Sequence, residues 1–263
     1  MASPAKPTLA VNKFSSCDGC QLSLLNLEDE LLDLADQVTF AFFLEASSET
    51  LPGPFDIALV EGSVTTPEEA ERIQAIRRQA GVLIALGTCA TSGGIQALRN
   101  LSDVDALSQA VYPHPEWLDP LEQVSPISAH VKVDHELWGC PVDKYQIVAL
   151  LQAVIAGRRP ALPRTSVCTA CKLKGQVCVL VAEGIPCLGP ITRGGCGALC
   201  PAYGRGCYGC FGPLPRAQGE SMLAILEAAE RHPGEIRQLL QHVNCNAPGF
   251  RDLWSGEPAE AKP

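Results

Sequence analysis

Between Cys187 and Cys210 the chain reads CLGPITRGGCGALCPAYGRGCYGC, which places Cys187, Cys196, Cys200, Cys207 and Cys210 in one segment studded with glycine and proline. Cys168, Cys171 and Cys178 lie just upstream, so eight thiols fall between Cys168 and Cys210. No periodic apolar run in this region is long enough to build a core. Hydrophobic burial is therefore not expected to order it, and thiolate bonds to metal are the expected agent.

Zinc, disulfides and iron–sulfur clusters compete for such a pattern. Zinc sites use CxxC pairs, and Cys168/Cys171 and Cys207/Cys210 have that spacing. Disulfides fit poorly with a chain whose first residues, MASPAKPTLA, carry neither an export signal's apolar stretch nor twin arginines. Iron–sulfur ligation accounts for more of the pattern. Cys200 is followed by Pro201, as in ferredoxin-type runs that close on Cys-Pro, and the flanking glycines let backbone N–H groups approach cluster sulfurs.

The 263 residues suffice for one large domain, expected over 1–160, and a small one, expected over 161–263. A net charge of −9 with 5% aromatic residues argues against nucleic-acid binding. No apolar run approaches membrane-spanning length, and the expected compartment is the cytoplasm. Thirteen cysteines in a reducing compartment point to metal or redox chemistry, and twelve divide into three sets of four.

Strand and helix patterns alternate through the first half. Thr8 to Phe14 reads as a strand, Gln21 to Asp36 as a leucine-rich helix, and Val38 to Leu44 as a buried strand. After a loop over Glu45 to Phe55, Asp56 to Val60 is a strand ending at Glu61-Gly62. Thr66-Pro67-Glu68-Glu69 is a capping box opening a helix to Ala80, with Gly81 as its C′ residue. Val82 to Leu86 is the next buried strand. This alternation predicts a doubly wound parallel α/β sheet. Asn100 to Ser128 is an irregular excursion with room for one helix. Val131 to Leu137 leads into Gly139-Cys140-Pro141, and Tyr145 to Ala156 is an apolar helix ended by Gly157. Arg158 to Arg164 marks the boundary. Two surface helices are expected over Glu220 to Arg231 and Gly234 to His242, and a frayed tail from Ser255.

Cys17 and Cys20 follow the first strand, and Cys89 follows the VLIAL strand. Ligands of open α/β sheets gather beyond the carboxyl ends of the strands, so these thiols are expected to converge there with Cys140. Glu61 ends a strand in the same crevice.

Taken together these residues resemble the small subunit of [NiFe] hydrogenases over nearly the whole chain. The CDGC at Cys17 to Cys20, VEG at Val60 to Gly62, GTCATSGG at Gly87 to Gly94 and GCP at Gly139 to Pro141 are similar to its flavodoxin-like domain. CLGPITRGGC and the CYGC at Cys207 to Cys210 are similar to its loop-rich cluster domain with C-terminal helices. VCTACKLKGQVCVL, followed by CLGPITRGGCGALCP, resembles the cytoplasmic NADP-linked group, the delta subunits of sulfhydrogenases. The resemblance implies three [4Fe–4S] clusters. Cys17, Cys20, Cys89 and Cys140 would hold the proximal one, and Cys168, Cys171, Cys178 and Cys187 the distal one. Cys196, Cys200, Cys207 and Cys210 would hold the medial one, with an exchange of Cys187 and Cys196 left open. Exported relatives have a histidine where this chain has Cys168, and they lack the equivalent of Cys200.

The resemblance also implies partners: a large subunit carrying the Ni–Fe centre, and iron–sulfur and flavin subunits binding FAD and NADP(H). No residue of this chain is expected to bind nickel or act catalytically. Glu61 would be a supporting or proton-handling carboxylate beside the proximal site. Lys172, Lys174 and Arg193 border the clusters as exposed or charge-balancing cations. His114, His130, His135, His232 and His242 fall outside the motifs, and Cys245 would be a free thiol. One rival is the related quinone-site subunit of respiratory complex I, but its cluster cysteines are adjacent and it lacks an eight-cysteine second domain. A freestanding ferredoxin-like carrier would not need so large a sheet domain. A zinc scaffold would lack a visible absorption band that bleaches on reduction.

Overall fold

The computed structural model describes residues 5–229 and 231–255, and the chain divides into two compact units, Met1–Ala161 and Leu162–Pro263. In the first unit β1 (Thr8–Lys13) is followed by α1 (Gly19–Leu25), α2 (Asp29–Gln37), β2 (Thr39–Phe43) and β3 (Phe55–Glu61). Then come α3 (Pro67–Gln79), β4 (Ala80–Leu86), α4 (Gly87–Ser92), α5 (Val104–Val111), β5 (His135–Leu137) and α6 (Lys144–Ile155). The five strands form one all-parallel sheet in the order β2-β1-β3-β4-β5. That is the flavodoxin-like order, whose switch point lies between β1 and β3. The central strand β3 is buried from Ile57 to Glu61, as a strand covered on both faces must be. Phe14, Val60, Ile73 and Leu83 are in the core beside it.

Three local expectations change. The helix expected over Gln21 to Asp36 is two helices. Asn26 closes α1, Leu27 turns inward and is fully buried, and Glu28 takes a φ of 57° before α2 begins. Asn competes locally with the helical backbone, and the unbroken leucine spacing hid the break. Gly81 does not cap α3; it sits inside β4, where a Cβ would stand 2.8 Å from Asp56 O. Glycine there permits close strand approach. The run expected to be a buried strand, β2, is the sheet edge, with Phe40 and Phe42 only half-buried.

At the start of α3 Thr66 accepts from Glu69 N–H at 3.2 Å. The Glu69 carboxylate, however, accepts from Thr65 N–H at 2.7 Å and not from Thr66 N–H, so the box is displaced by one residue. The excursion from Asn100 contains α5 and short 3₁₀ turns at Pro115–Trp117 and Ile127–Ala129.

The second unit has α7 (Val167–Leu173), α8 (Val179–Ala182), α9 (Leu199–Ala202), α10 (Gly219–Ala228), α11 (Pro233–Leu240) and α12 (Pro248–Ser255). The two C-terminal helices read from sequence correspond to α10 and α11. The two-turn α12 escaped notice because it is too short to show a period, yet its Phe250 is buried with Met222, Leu226, Ile236 and Leu240. The tail expected to fray from Ser255 lies, after that residue, outside the described residues. A second small core joins Val167, Val179 and Ala198 to Cys171, Cys187 and Cys207, so thiols serve as core residues here. Among the described residues no helix is long and apolar enough to cross a membrane.

Two carboxylates tie the sheet together. Asp56 accepts from Thr8 N–H at 2.7 Å and from the Thr8 hydroxyl at 2.9 Å, which holds the Asp56 carboxyl below its ordinary value. Burial pushes Asp134 up, but the Leu83 N–H at 2.8 Å and Arg77 at 2.6 Å outweigh it, and the net direction is down. A depressed folded-state pKa gives stability that is complete above the unfolded value of about 4 and is lost as pH falls through the folded value. Asp56→Asn and Asp134→Asn should therefore lower the melting temperature at neutral pH and flatten its decline between about pH 4 and pH 2. Melting curves across that range check it, and an unchanged acid slope in both variants would contradict it.

Candidate cluster-binding sites

The first site is built at the carboxyl ends of β1, β4 and β5. Lys13 ends β1, and Cys17 and Cys20 follow it, Cys20 in the first turn of α1. Cys89 lies in α4 directly after β4, and Cys140 follows β5 in a turn in which Gly139 O accepts from Thr88 N–H at 2.8 Å. The four sulfurs lie within electrostatic reach of one another: Cys20 senses Cys89 and Cys140, and Cys89 and Cys140 both sense Cys17. A Cβ on Gly19 would stand 3.4 Å from Cys17 Sγ and 3.6 Å from Pro141 Cβ, so the loop after β1 lies against the turn that carries Cys140. Cys20 is buried and Cys89 half-buried, whereas Cys17 and Cys140 are exposed.

Glycines make the room. A Cβ on Gly87, whose φ is +85°, would stand 2.4 Å from Cys20 Sγ, and one on Gly94, φ +65°, 2.5 Å from Cys89 Sγ. Glu61 is buried at the end of β3, its Oε1 accepting from Cys20 N–H and its Oε2 from Gln21 N–H, both at 3.1 Å. Burial raises its carboxyl, and these two N–H groups only partly offset that. Burial also pushes the Cys20 thiol far up, aided by the Glu61 charge, and pushes Cys89 up to about 11. Such thiols ionise at neutral pH only where a cation takes up the charge.

The second unit brings seven of the remaining eight close to one another, in two overlapping groups. Burial raises the Cys168 thiol, followed by the charges of Cys187, Cys178 and Cys171. Burial likewise raises Cys200, with Cys196 next, and Cys207 up to about 12. Cys187 borders both groups: Cys207 N–H donates to its sulfur at 3.2 Å, while Gly189 lies between Cys187 and Cys168, where a Cβ would be 3.3 and 3.4 Å from the two sulfurs. Cys178 precedes α8, Cys200 lies in α9, and Cys210 is half-buried three residues after Cys207.

Among the described residues no three Cys, His, Asp or Glu side chains are arranged to hold a single metal ion. A cubane cluster spreads four thiolates over four irons, so grouped but separated sulfurs backed by glycine suit it. The donor set, all thiol, fits iron–sulfur chemistry.

Other sequence candidates fall outside the groups. Lys174 Nζ donates to Gly197 O at 2.6 Å and Arg193 Nη2 to Pro213 O at 3.3 Å, so both brace backbone. Lys172 is exposed. His232 accepts from Gly234 N–H to cap α11, His130 bonds Ser125, and His114 and His242 stack on Trp117 and Tyr208. His135 is in β5. Cys245 is buried, and its carbonyl accepts from Trp254 Nε1 at 2.9 Å. Sequence reading missed Gln96, whose Nε2 donates to Ser15 O at 2.9 Å and whose side chain also reaches the Cys89 thiol. Its place after the Gly93-Gly94 pair was the available signal.

Residues 17–154 match the family described as NADH ubiquinone oxidoreductase, 20 Kd subunit. The sulfhydrogenase 2 subunit delta of Pyrococcus furiosus is 40% identical over 219 residues, 83% of this chain and 92% of that protein. A solved NAD+-reducing [NiFe]-hydrogenase in the H2-reduced state aligns with a TM-score of 0.55 and 34% identity, over 60% of this chain and 96% of the matched one. An actinobacterial-type NiFe-hydrogenase from Ralstonia eutropha H16 shares the fold over 98% of this chain and 93% of its own, at a TM-score of 0.58 and 15% identity. The chain belongs to the [NiFe]-hydrogenase small subunits, within the wider family described by the 20 Kd subunit of NADH ubiquinone oxidoreductase.

Proposed function

We propose that this chain relays electrons through three [4Fe–4S] clusters between the Ni–Fe centre of a large subunit and iron–sulfur and flavin subunits that exchange electrons with NADP(H), in the cytoplasm. The carrying observation is the grouping of Cys17, Cys20, Cys89 and Cys140 at the strand ends, apart from the eight thiols of the second unit. Similarity to a sulfhydrogenase subunit and to an NAD+-reducing hydrogenase supports a nicotinamide link, with sulfur as a further acceptor.

A cubane cluster supplies a one-electron centre, which a route from H2 to a flavin and a nicotinamide requires. The chain's own residues do the rest. Cys17, Cys20, Cys89 and Cys140 hold the proximal cluster, and Cys168, Cys171, Cys178 and Cys187 the distal one. Cys196, Cys200, Cys207 and Cys210 hold the medial one. The N–H groups of Cys207 and Gly209, donating to Cys187 and Cys207 sulfurs, lower the electron density there and tune potential. Glu61 fixes the first turn of α1 through two N–H groups and, with a raised carboxyl, can hold a proton beside the proximal site. Cys245 stays a free thiol.

The anaerobically purified chain should carry about twelve irons in three cubanes. Metal analysis showing stoichiometric zinc and little iron would sink this reading.

Gly87→Ala should push Cys20 aside and, like Cys89→Ser, remove about four irons, leaving the second unit loaded. Cys245→Ser should retain all of them. Iron assay with EPR of each variant checks this, and iron loss in the Cys245 variant would break the twelve-plus-one division.

Cys200 adds a fourth thiolate to the medial set, which retains the corner iron. Cys200→Ala should yield an oxidised three-iron EPR signal, raise the medial potential and bias the enzyme toward H2 uptake. Unchanged spectra and iron content would mean that the medial ligands must be redrawn.

A further inference from the structure

The surface above the second thiol group differs from the rest of the chain. From Arg164 to Arg216, both included, the chain has six arginines and lysines and one acid, Glu183, in a protein of net charge −9. Helices α7, α8 and α9 pack inward through Val167, Val179 and Ala198 on Cys171, Cys187 and Cys207. Their opposite sides are open and apolar: Leu173 is 84% exposed, Val181 83% and Tyr203 77%. Val177 and Leu199 are exposed with them.

Lys172, Lys174 and Arg205 are also exposed there. The Lys174–Gly197 bond joins the end of α7 to the loop entering α9, and α8 packs through Val179 on the same cluster as Val167 and Ala198. Scattered apolar residues on a surface mean little, but a contiguous apolar set rimmed by one sign of charge marks an interface. An uncompensated basic rim selects an acidic partner, since like charge is repelled and opposite charge steered.

We propose that the outward face of α7, α8 and α9 is the docking surface for an acidic face of the iron–sulfur subunit that accepts electrons from this chain. The apolar side chains form the water-excluding centre, and Lys172, Lys174 and Arg205 form the steering rim. This rests on the electron-relay reading, since Cys168 in α7, Cys178 at the start of α8 and Cys200 in α9 are only half-buried. A second copy of this chain, itself acidic overall, is the competing occupant.

The test uses the assembled hydrogenase complex. A carbodiimide, which joins amines to carboxylates without a spacer, should couple Lys172 or Lys174 to Asp or Glu of the iron–sulfur subunit, read by mass spectrometry. Val181→Ser with Tyr203→Ala should weaken retention of that subunit about tenfold, and Lys172→Glu should make it dissociate at about half the salt concentration. Arg78→Glu, an equal charge change on exposed α3, should do neither. Cross-links only to the large subunit or to a second copy of this chain, or full retention in both surface variants, would overturn the docking proposal. Reduction by H2 of the cluster absorbance of the parent complex is read separately. If H2 bleaches nothing there, the relay reading itself fails, whatever the cross-links show.

Discussion

Burial of ionisable sulfur is the constraint on which the rest of this structure depends. Cys20, Cys171, Cys187 and Cys207 are buried along with the aliphatic core. A buried thiol beside other thiols is costly to ionise, and Cys89 and Cys207 are pushed to about 11 and 12 by burial and then by their neighbours. The same crowding becomes favourable once a multivalent cationic centre takes up the charge. In the second unit this has a direct consequence for folding. Its cores around Val167 and around Phe250 are small, and sulfur fills part of the first. A cluster that took up the thiolate charge there would add its binding energy to that of folding.

Glu61 connects that chemistry to the sheet. It ends the central strand and accepts two of the N–H groups in the first turn of α1, so the carboxylate of β3 positions the helix that carries Cys20. Asp56 and Asp134 act at the other ends of the strands, pairing with Thr8 and with Arg77 and Leu83. The sheet is thus pinned by acids at both ends, and a side chain at Gly87 would have its Cβ 2.4 Å from Cys20 Sγ.

The two units divide the electrical work. The first uses buried acid and backbone N–H groups around four thiols. The second surrounds eight thiols with exposed cations and few acids, inside a chain that is acidic as a whole.

Much of this was legible in the sequence. The parallel α/β class follows from VLIAL and DIALV between helical patterns, and the order of strand and cysteine motifs puts Cys17, Cys20, Cys89 and Cys140 just after strands. These are local signals: an apolar run bounded by turns, and a thiol beside glycine. Tertiary structure alone decided what depends on neighbours distant in sequence. It made β2 an edge, since VTFAFFL reads the same on an edge as in the middle. It broke the leucine helix at Asn26 because Leu27 had to turn inward, and it used Gly81 for approach to Asp56 and not as a cap. It also set Cys187 between two groups of thiols, because spacing counts residues along one chain, whereas a shared site depends on which loops fold back on one another.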